Sequence, residues 1–485
     1  MDGRFAAALE AIVGRRHALT TPDEIRAYAY DGGVDRAQPL GVVLPGSTEE
    51  IAAVVRACRE RDVRFVPRGA GTGLSGGAIA ALDALVISTA RLRRILEIDA
   101  PNRIAIVEPG VVNADVSAAA KPHGLRYVPD PSSMAACTIG GNIAENSGGL
   151  HCLAYGVTSA HVLGIKIVTP DGDIEWLGGK TIDAPGYDLV GVFIGSEGTL
   201  GIATQAVLAL SPMPESVQTL LGVFDSTDDA TAAVSAIIAR GIVPGALEMM
   251  DALATSAVEA HVGAGLPVDA AALLLIDIEG LSDGLDQTVE AVASICREHG
   301  AREVRIAQEG EQRDLIWKGR KSAFGAMGRI SPDYYVQDGV IPRSQLPAML
   351  RDVTAAGTKH GLRIANVFHA GDGNLHPLIL FDKDKEGELD RALAAGADIL
   401  EACVSRGGSI SGEHGIGLEK RDCMPLQFTP DDLGFMERLK SAFNPDDRCN
   451  PGKVFPTGRR CGESARTAQS GALDERTAAL AGEPF

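Results

Sequence analysis

The stretch Pro67-Arg68-Gly69-Ala70-Gly71-Thr72-Gly73-Leu74-Ser75-Gly76-Gly77 decides how the chain is read. Five of its eleven residues are glycine. Glycine at this density permits positive φ and leaves backbone N–H groups uncovered, so main-chain donors can wrap a diphosphate. The segment Val63–Val66 delivers the chain into the loop as a strand, and Arg68 adds a fixed positive charge. Gly71-x-Gly73-x-x-Gly76 also satisfies the dinucleotide fingerprint, which requires a helix opening directly after it. Only Gly77–Asp83 separates the loop from the apolar run Ala84-Leu85-Val86-Ile87, too little for a crossover helix. The good helix lies before the strand instead. Ser47 and Glu50 have capping-box spacing ahead of a helix that runs to about Arg61. No Gly-Lys-Ser/Thr ends the loop, so it is not a Walker-type P-loop. It reads as a phosphate cradle of another kind.

Two more glycine clusters follow. Pro129-Asp130-Pro131-Ser132-Ser133 leads into Thr138-Ile139-Gly140-Gly141-Asn142-Ile143-Ala144-Glu145-Asn146-Ser147-Gly148-Gly149, which reads as a second loop with side-chain amides and hydroxyls added. Gly195-Ser196-Glu197-Gly198-Thr199-Leu200-Gly201-Ile202 precedes a strand at Thr204–Leu210. Two such stretches close in sequence suggest a ligand held from two sides. Strands are expected near Leu85–Ser88 and Arg103–Glu108, a helix near Asn113–His123, and a hairpin at Leu163–Thr169 and Ile174–Leu177. Residues 1–37 read as a helical, then irregular, segment. Ser211–Ser216 reads as a linker. Beyond it, strands at Thr219–Phe224, Ala246–Met250, Leu273–Glu279 and Arg302–Ile306 alternate with helices at Asp225–Arg240 and Asp283–His299. That alternation predicts an α+β domain with helices on one face of an antiparallel sheet. Further helix is expected at Glu309–Arg329 and Arg343–His360. The polar, alanine-rich tail after Thr457 is expected to be disordered.

A second chemical site lies at His369-Ala370-Gly371-Asp372-Gly373-Asn374-Leu375-His376. Asp372-Gly373 is a two-residue hairpin turn signal flanked by the apolar runs Ile364–Phe368 and Pro377–Phe381. In that register His369 faces His376 with Cβ atoms about 5 Å apart on one face. This suits two imidazoles on one metal ion. Ser411-Gly412-Glu413-His414-Gly415-Ile416-Gly417 offers a third ligand, and two histidines with Glu413 and an open position form a catalytic type of metal shell. If Glu413 ligates, His414 is free to act as a base, and Arg320 could bind a substrate carboxylate.

The net charge of −19 argues against nucleic acid and anionic membrane surfaces as partners. No apolar run is long enough to span a bilayer, and Asp2, Arg4 and Glu10 leave no secretory segment, so a cytoplasmic protein is expected. None of the eight cysteines forms a Cys-x-x-Cys pair. They read as free thiols, with no capacity for an iron–sulfur cluster of their own.

Together these motifs, with Asn450-Pro451-Gly452-Lys453-Val454-Phe455-Pro456, resemble the FAD-linked oxidases with a vanillyl-alcohol-oxidase (PCMH-type) FAD domain, from about residue 38 to Pro456. The nearest likeness is to the glycolate oxidase FAD subunit and its D-lactate and D-2-hydroxyglutarate dehydrogenase relatives. The resemblance implies a two-lobed FAD domain over 38–216, a ferredoxin-like α+β cap over 217–420, and a return to the FAD domain over 421–457. Residues 458–485 would be the tail. It implies that Arg68, Gly69, Ala70, Gly71, Thr72, Gly73 and Gly76 cradle the FAD pyrophosphate. Pro131, Thr138, Gly141, Asn142, Asn146, Ser147 and Gly148 would line the isoalloxazine and ribityl part. Glu197, Gly201 and Ile202 would sit near ribose and adenine, and Asn450 would return to the flavin. His369, His376 and Glu413 would hold a divalent metal such as zinc. His414 would be the base, with Asn374 and Arg320 orienting the substrate.

Thr72 stands where covalent-flavin relatives often place histidine, which implies dissociable FAD. No lysine occurs between Lys321 and Lys359, where relatives specific for longer diacids carry one, so a small monocarboxylate such as glycolate or D-lactate is implied. Gly328-Arg329-Ile330-Ser331-Pro332-Asp333-Tyr334-Tyr335 is similar to the glycolate branch. That branch works with companion subunits, one carrying iron–sulfur clusters, which would also allow membrane association through partners. A stand-alone D-lactate or D-2-hydroxyglutarate dehydrogenase is the same-class alternative. A non-catalytic nucleotide-binding scaffold is the different-class one, and a metal-only hydrolase would leave three glycine clusters unexplained.

Overall fold

The computed structural model describes residues 1–80, 83–182, 185–307 and 310–462. The first lobe is built around strand Phe65–Arg68, which pairs in parallel with Leu85–Ser88, itself parallel to Gly41–Val43. Ala18–Leu19 closes the edge antiparallel. Helix Thr48–Glu60 starts where Ser47 Oγ accepts from the Glu50 N–H and the Glu50 carboxylate accepts from Gly46 N–H. It buries Ile51, Val54, Val55 and Cys58 against Phe65, Leu85 and Ile87. No helix forms among the described residues between Arg68 and Leu85, so the glycine loop joins two neighbouring strands directly.

The second lobe is a five-stranded antiparallel sheet in the order Ile95–Asp99, Ile104–Val107, Ile202–Ala209, Val162–Val168, Ile174–Gly178. The stretch read as a second loop is instead mainly helix, Ile139–Glu145. Its small residues serve close packing. A Cβ at Gly140 would lie 2.7 Å from Pro109 Cβ, and Asn146 ends the helix with φ +54°.

The third unit is a nine-stranded antiparallel sheet. Its main path runs Ala301–Ala307, Ser216–Phe224, Ala272–Gly280, Ala246–Asp251, Arg363–His369, Asn374–Leu375, Gly339–Val340. Pro377–Phe381 pairs with Arg363–His369 and with Asp333–Val336. The expectation of helices on one face is corrected, because both faces are covered. Helices Thr227–Ala239, Leu285–Glu298, Leu346–His360 and Glu388–Ser405 pack on one side. Ala252–Val262, Glu311–Lys321 and Ala323–Ala326 pack on the other. The reason is visible in Leu273-Leu274-Leu275-Ile276, four consecutive apolar residues with no exposure, which need cover above and below.

Residues 448–450 then run back beside the first lobe. Phe65 N–H donates to Arg448 O at 2.9 Å and Asn450 N–H to Phe65 O at 2.8 Å. The reading of all cysteines as free thiols is also corrected. Cys423 and Cys461 form a disulfide across a sequence separation of 38. That bond anchors the start of the segment expected to be disordered, with residues 458–462 ordered against the body. Residues 463–485 lie outside the described residues. No helix among the described residues is long and apolar enough to cross a membrane.

Candidate active site

The three units enclose a cavity of about 370 Å³. Arg68, Gly69, Ala70, Gly71, Thr72 and Gly73 form one wall. Pro131, Thr138, Gly141, Asn142 and Ser147 form a second, and Glu197, Gly201 and Ile202 a third. Lys321, Phe324, Tyr334, Glu413 and His414 close it from the nine-stranded unit. The walls have the character of a cofactor cradle. Gly71 has φ +71°, and a Cβ there would meet the Arg68 guanidinium at 2.2 Å. A Cβ at Gly69 would lie 2.5 Å from Thr138 Oγ1, a buried hydroxyl with no partner. Arg68 donates to Tyr30 O at 2.7 Å and Ala78 O at 3.3 Å, so it shapes the loop as well as charging it. Donors and bare backbone of this kind fit a dinucleotide such as FAD.

Four residues of the proposed cradle stand behind the walls. Gly76, φ +78°, turns the loop beneath Leu418. Asn146 Oδ1 accepts from Ser159 N–H at 2.8 Å. Asn450 Nδ2 donates to Glu197 O at 2.6 Å and Gly77 O at 3.0 Å, tying the returning chain to two glycine clusters. A Cβ at Gly148 would lie 2.6 Å from Glu413 Oε2, so this glycine lets the carboxylate approach.

The histidine hairpin forms with a corrected register. His369 pairs with Asn374, not with His376, and the turn is four residues long, Ala370–Gly373. The same register continues through Asn366 opposite Pro377. The shift is by two residues, so both imidazoles stay on one face, now as diagonal neighbours. Their ring centroids are 5.1 Å apart at 89°. His414 stacks on His376 at 4.9 Å and 14°. Glu413 Oε1 lies 3.0 Å from His376 Nε2, 3.5 Å from His369 Nε2 and 3.6 Å from His414 Nε2.

Ligand atoms of His369, His376 and Glu413 all fall within 4.8 Å of one another, and so do those of Asp338, His376 and His414. Of the ring nitrogens of buried His376, Nε2 faces Glu413 Oε1 and Nδ1 has no hydrogen-bond partner. The first set, two imidazoles and a carboxylate, fits a divalent cation. His369 Nδ1 lies 2.7 Å from Glu248 Oε1, which leaves Nε2 facing the cluster. Burial pushes the His414 imidazole down to about 4, against the pull of the Asp338 carboxylate, so the ring is neutral near pH 7 and able to accept a proton.

Arg320 is almost fully buried, and its Nε and Nη2 meet Glu248 Oε2 at 2.9 and 2.6 Å. The cation that the nine-stranded unit adds to the cavity wall is Lys321. Asn374 is buried too, with Nδ2 donating to Asp338 Oδ1 at 2.7 Å. Sequence reading had placed both beside a substrate and had missed Glu248 and Asp338. Glu248 left a signal, as a carboxylate with two apolar residues on either side of it in the strand Ala246–Asp251.

Fold and cavity together define a flavoprotein oxidoreductase of the PCMH/vanillyl-alcohol-oxidase type. A substrate-bound p-cresol methylhydroxylase superposes with a TM-score of 0.79 at 17% identity, covering 94% of this chain and 97% of that one. The 4-ethylphenol oxidase from Gulosibacter chungangensis gives 0.78 at 18% identity over the same shares. Residues 39–178 match the family described as FAD binding domain, and residues 213–454 match FAD linked oxidases, C-terminal domain. Glycolate oxidase subunit GlcD of Escherichia coli (strain K12) is 49% identical over 94% of this chain and 92% of its own length. The GlcD of Bacillus subtilis (strain 168) is 40% identical over 89% and 93%, and a D-lactate dehydrogenase of Anaerostipes hadrus 33% over 90% and 92%. The chain belongs to the FAD-linked oxidases.

Proposed function

We propose that this chain is the FAD-carrying subunit of a glycolate oxidase, oxidising a small 2-hydroxy acid such as glycolate or D-lactate to the 2-oxo acid. One observation carries the reading. Glu413 and His414, next to the paired histidines, stand in the wall of the cavity that the glycine clusters line. Bound FAD supplies an acceptor for the hydride that leaves C2. Neutral His414 accepts the proton of the substrate hydroxyl. His369, His376 and Glu413 would hold a divalent metal, zinc by ligand type, and it would supply Lewis-acid polarisation of that hydroxyl. Lys321 meets the substrate carboxylate from the wall. Arg320, buried behind the cavity wall, supports the site by holding Glu248. Asn374 orients the site through Asp338. Phe324 packs edge-on to His376 at 6.1 Å, and with Tyr334 it limits the room beside C2.

In this reading residues 38–216 hold the cofactor, 217–420 cover the substrate, and 421–457 return to the cofactor. The close relatives are named as subunits, which supports a companion chain, and an iron–sulfur partner would carry the electrons onward. Relatives named D-lactate dehydrogenase and D-2-hydroxyglutarate dehydrogenase, 33% and 31% identical, support a stand-alone dehydrogenase as the second reading. Co-purification with a cysteine-rich partner separates the subunit from the stand-alone enzyme, and rapid anaerobic flavin reduction with glycolate, D-lactate and D-2-hydroxyglutarate tests the substrate. Glycolate or D-lactate reducing faster than the diacid is expected. Faster reduction by D-2-hydroxyglutarate would overturn the monocarboxylate reading.

A further inference from the structure

Asp338 has no solvent exposure, yet it is a carboxylate a few ångströms from other charged groups. Its surroundings explain how that charge is tolerated. Oδ2 accepts from Ser411 Oγ at 2.8 Å, Gly412 N–H at 3.0 Å and His414 N–H at 2.9 Å, and lies 3.3 Å from Lys420 Nζ. Glu413 N–H points between the two oxygens, at 3.2 and 3.3 Å. Oδ1 accepts from Asn374 Nδ2 at 2.7 Å. Three consecutive backbone N–H groups, 412 to 414, therefore converge on one side-chain anion. Such a nest stabilises negative charge strongly, and Lys420 Nζ sets a positive charge beside it.

Two roles compete for this residue. Asp338, His376 and His414 are close enough to hold a cation themselves. The acceptor count decides against it. With six donors on two oxygens, little lone-pair capacity remains for a metal. His376, by contrast, keeps Nδ1 free of partners while its Nε2 faces Glu413 Oε1. The loop that Asp338 grips carries both Glu413 and His414, and the Asn374 it grips pairs across the hairpin with His369. A Cβ at Gly412 would lie 2.3 Å from Asn374 Nδ2, so loop and hairpin touch at this point.

We propose that Asp338 is a positioning residue for the reaction. Its carboxylate locks the 411–414 loop so that Glu413 faces the two histidines and His414 faces the cavity, and it is not itself a metal ligand. The inference rests on the proposed roles of Glu413 and His414. Asp338→Asn is nearly isosteric but turns an NH₂ toward N–H donors, so the nest loses its acceptor and the loop relaxes.

The test uses the full-length holoprotein and its Asp338→Asn variant. FAD content is read by absorbance, Zn²⁺ affinity by competition with a chromophoric chelator after demetallation, and flavin reduction by anaerobic stopped flow. The variant should retain FAD, bind Zn²⁺ about 10- to 100-fold more weakly, and reduce its flavin more slowly with little change in the substrate concentration for half-maximal rate. A residue needed only for folding would lower FAD content and thermal stability together, which would overturn the proposal. Wild-type Zn²⁺ affinity with wild-type reduction rate would also overturn it. Complete loss of Zn²⁺ binding in a variant that keeps its FAD would make Asp338 a ligand and not a positioner, which would overturn the proposal. If the wild type takes up no Zn²⁺, the metal reading falls, and the reduction rate of the variant alone decides for Asp338. Should the variant fail to fold, Ser411→Ala removes one donor to Oδ2. A folded Ser411→Ala protein should still reduce its flavin several-fold more slowly, and an unchanged rate would overturn the assignment.

Discussion

Nδ1 of His369 sits 2.7 Å from Oε1 of Glu248, and Arg320 grips the other oxygen of the same carboxylate. This chain of three buried groups fixes which imidazole nitrogen faces Glu413. Carboxylate partners of ligating histidines set ring orientation and basicity. Glu248→Gln should therefore lower divalent-metal affinity about 10- to 100-fold with FAD content unchanged. Chelator competition on the two proteins checks it, and equal affinities would show that Glu248 does not set the metal affinity through His369.

Two glycines should fail in different ways. Gly71 combines φ +71° with the Arg68 guanidinium at contact, so Gly71→Val should abolish FAD retention. Gly148 leaves room for Glu413 Oε2, so Gly148→Ala should displace the carboxylate, slow flavin reduction and leave most FAD bound. Flavin absorbance per protein and anaerobic reduction rate separate the two losses. A Gly71→Val protein with full flavin would contradict the cradle.

His151 is held between Asp130 and Glu279, at 3.0 and 3.6 Å, where the first lobes meet the nine-stranded sheet. Burial disfavours its charge, but the two carboxylates outweigh burial and raise it to about 10. A raised histidine stabilises the fold fully below its unfolded value of about 6.5, and that stabilisation is lost as pH climbs toward 10. Tm should therefore fall between pH 7 and pH 10, and His151→Gln should flatten this part of the profile. A wild-type slope retained in the variant would assign the effect elsewhere.

The Cys423–Cys461 bond closes a segment of 38 residues. Chain-entropy reasoning gives about 4 kcal/mol of stabilisation for a loop of this length, before any native-state adjustment. Cys461→Ser should lower Tm measurably while flavin reduction stays near wild type, because the bond lies outside the cavity wall. A large fall in the reduction rate would show that the C-terminal segment supports the site directly.

The elements that sequence made legible are those whose chemistry is local. The Pro67–Gly77 loop was readable because strand, glycine density and the seven residues to the next strand all lie within one short span. The His369–His376 pair was readable because hairpin parity keeps both rings on one face, even though the register was off by two. The partners of Glu248 and Asp338, and the disulfide, were not readable. Each acts across a long separation, as with the 121 residues between His369 and Glu248. Helix Ile139–Glu145 was misread because glycines that serve close packing on Pro109 look like loop glycines. Helix Glu388–Ser405 carries no side-chain cap at its start, where Gly387 stands, so no N-cap signal marks it in the sequence.

The central claim is that His414 works beside a flavin held by the glycine clusters. Anaerobic stopped-flow absorbance of the purified chain and of His414→Ala, mixed with glycolate or D-lactate, tests it most directly. The account predicts that the oxidised flavin band of the wild type bleaches, and that His414→Ala carries normal FAD but bleaches about 10²- to 10⁴-fold more slowly. A wild-type flavin that no 2-hydroxy acid reduces, or a His414→Ala flavin that bleaches at the wild-type rate, would contradict it.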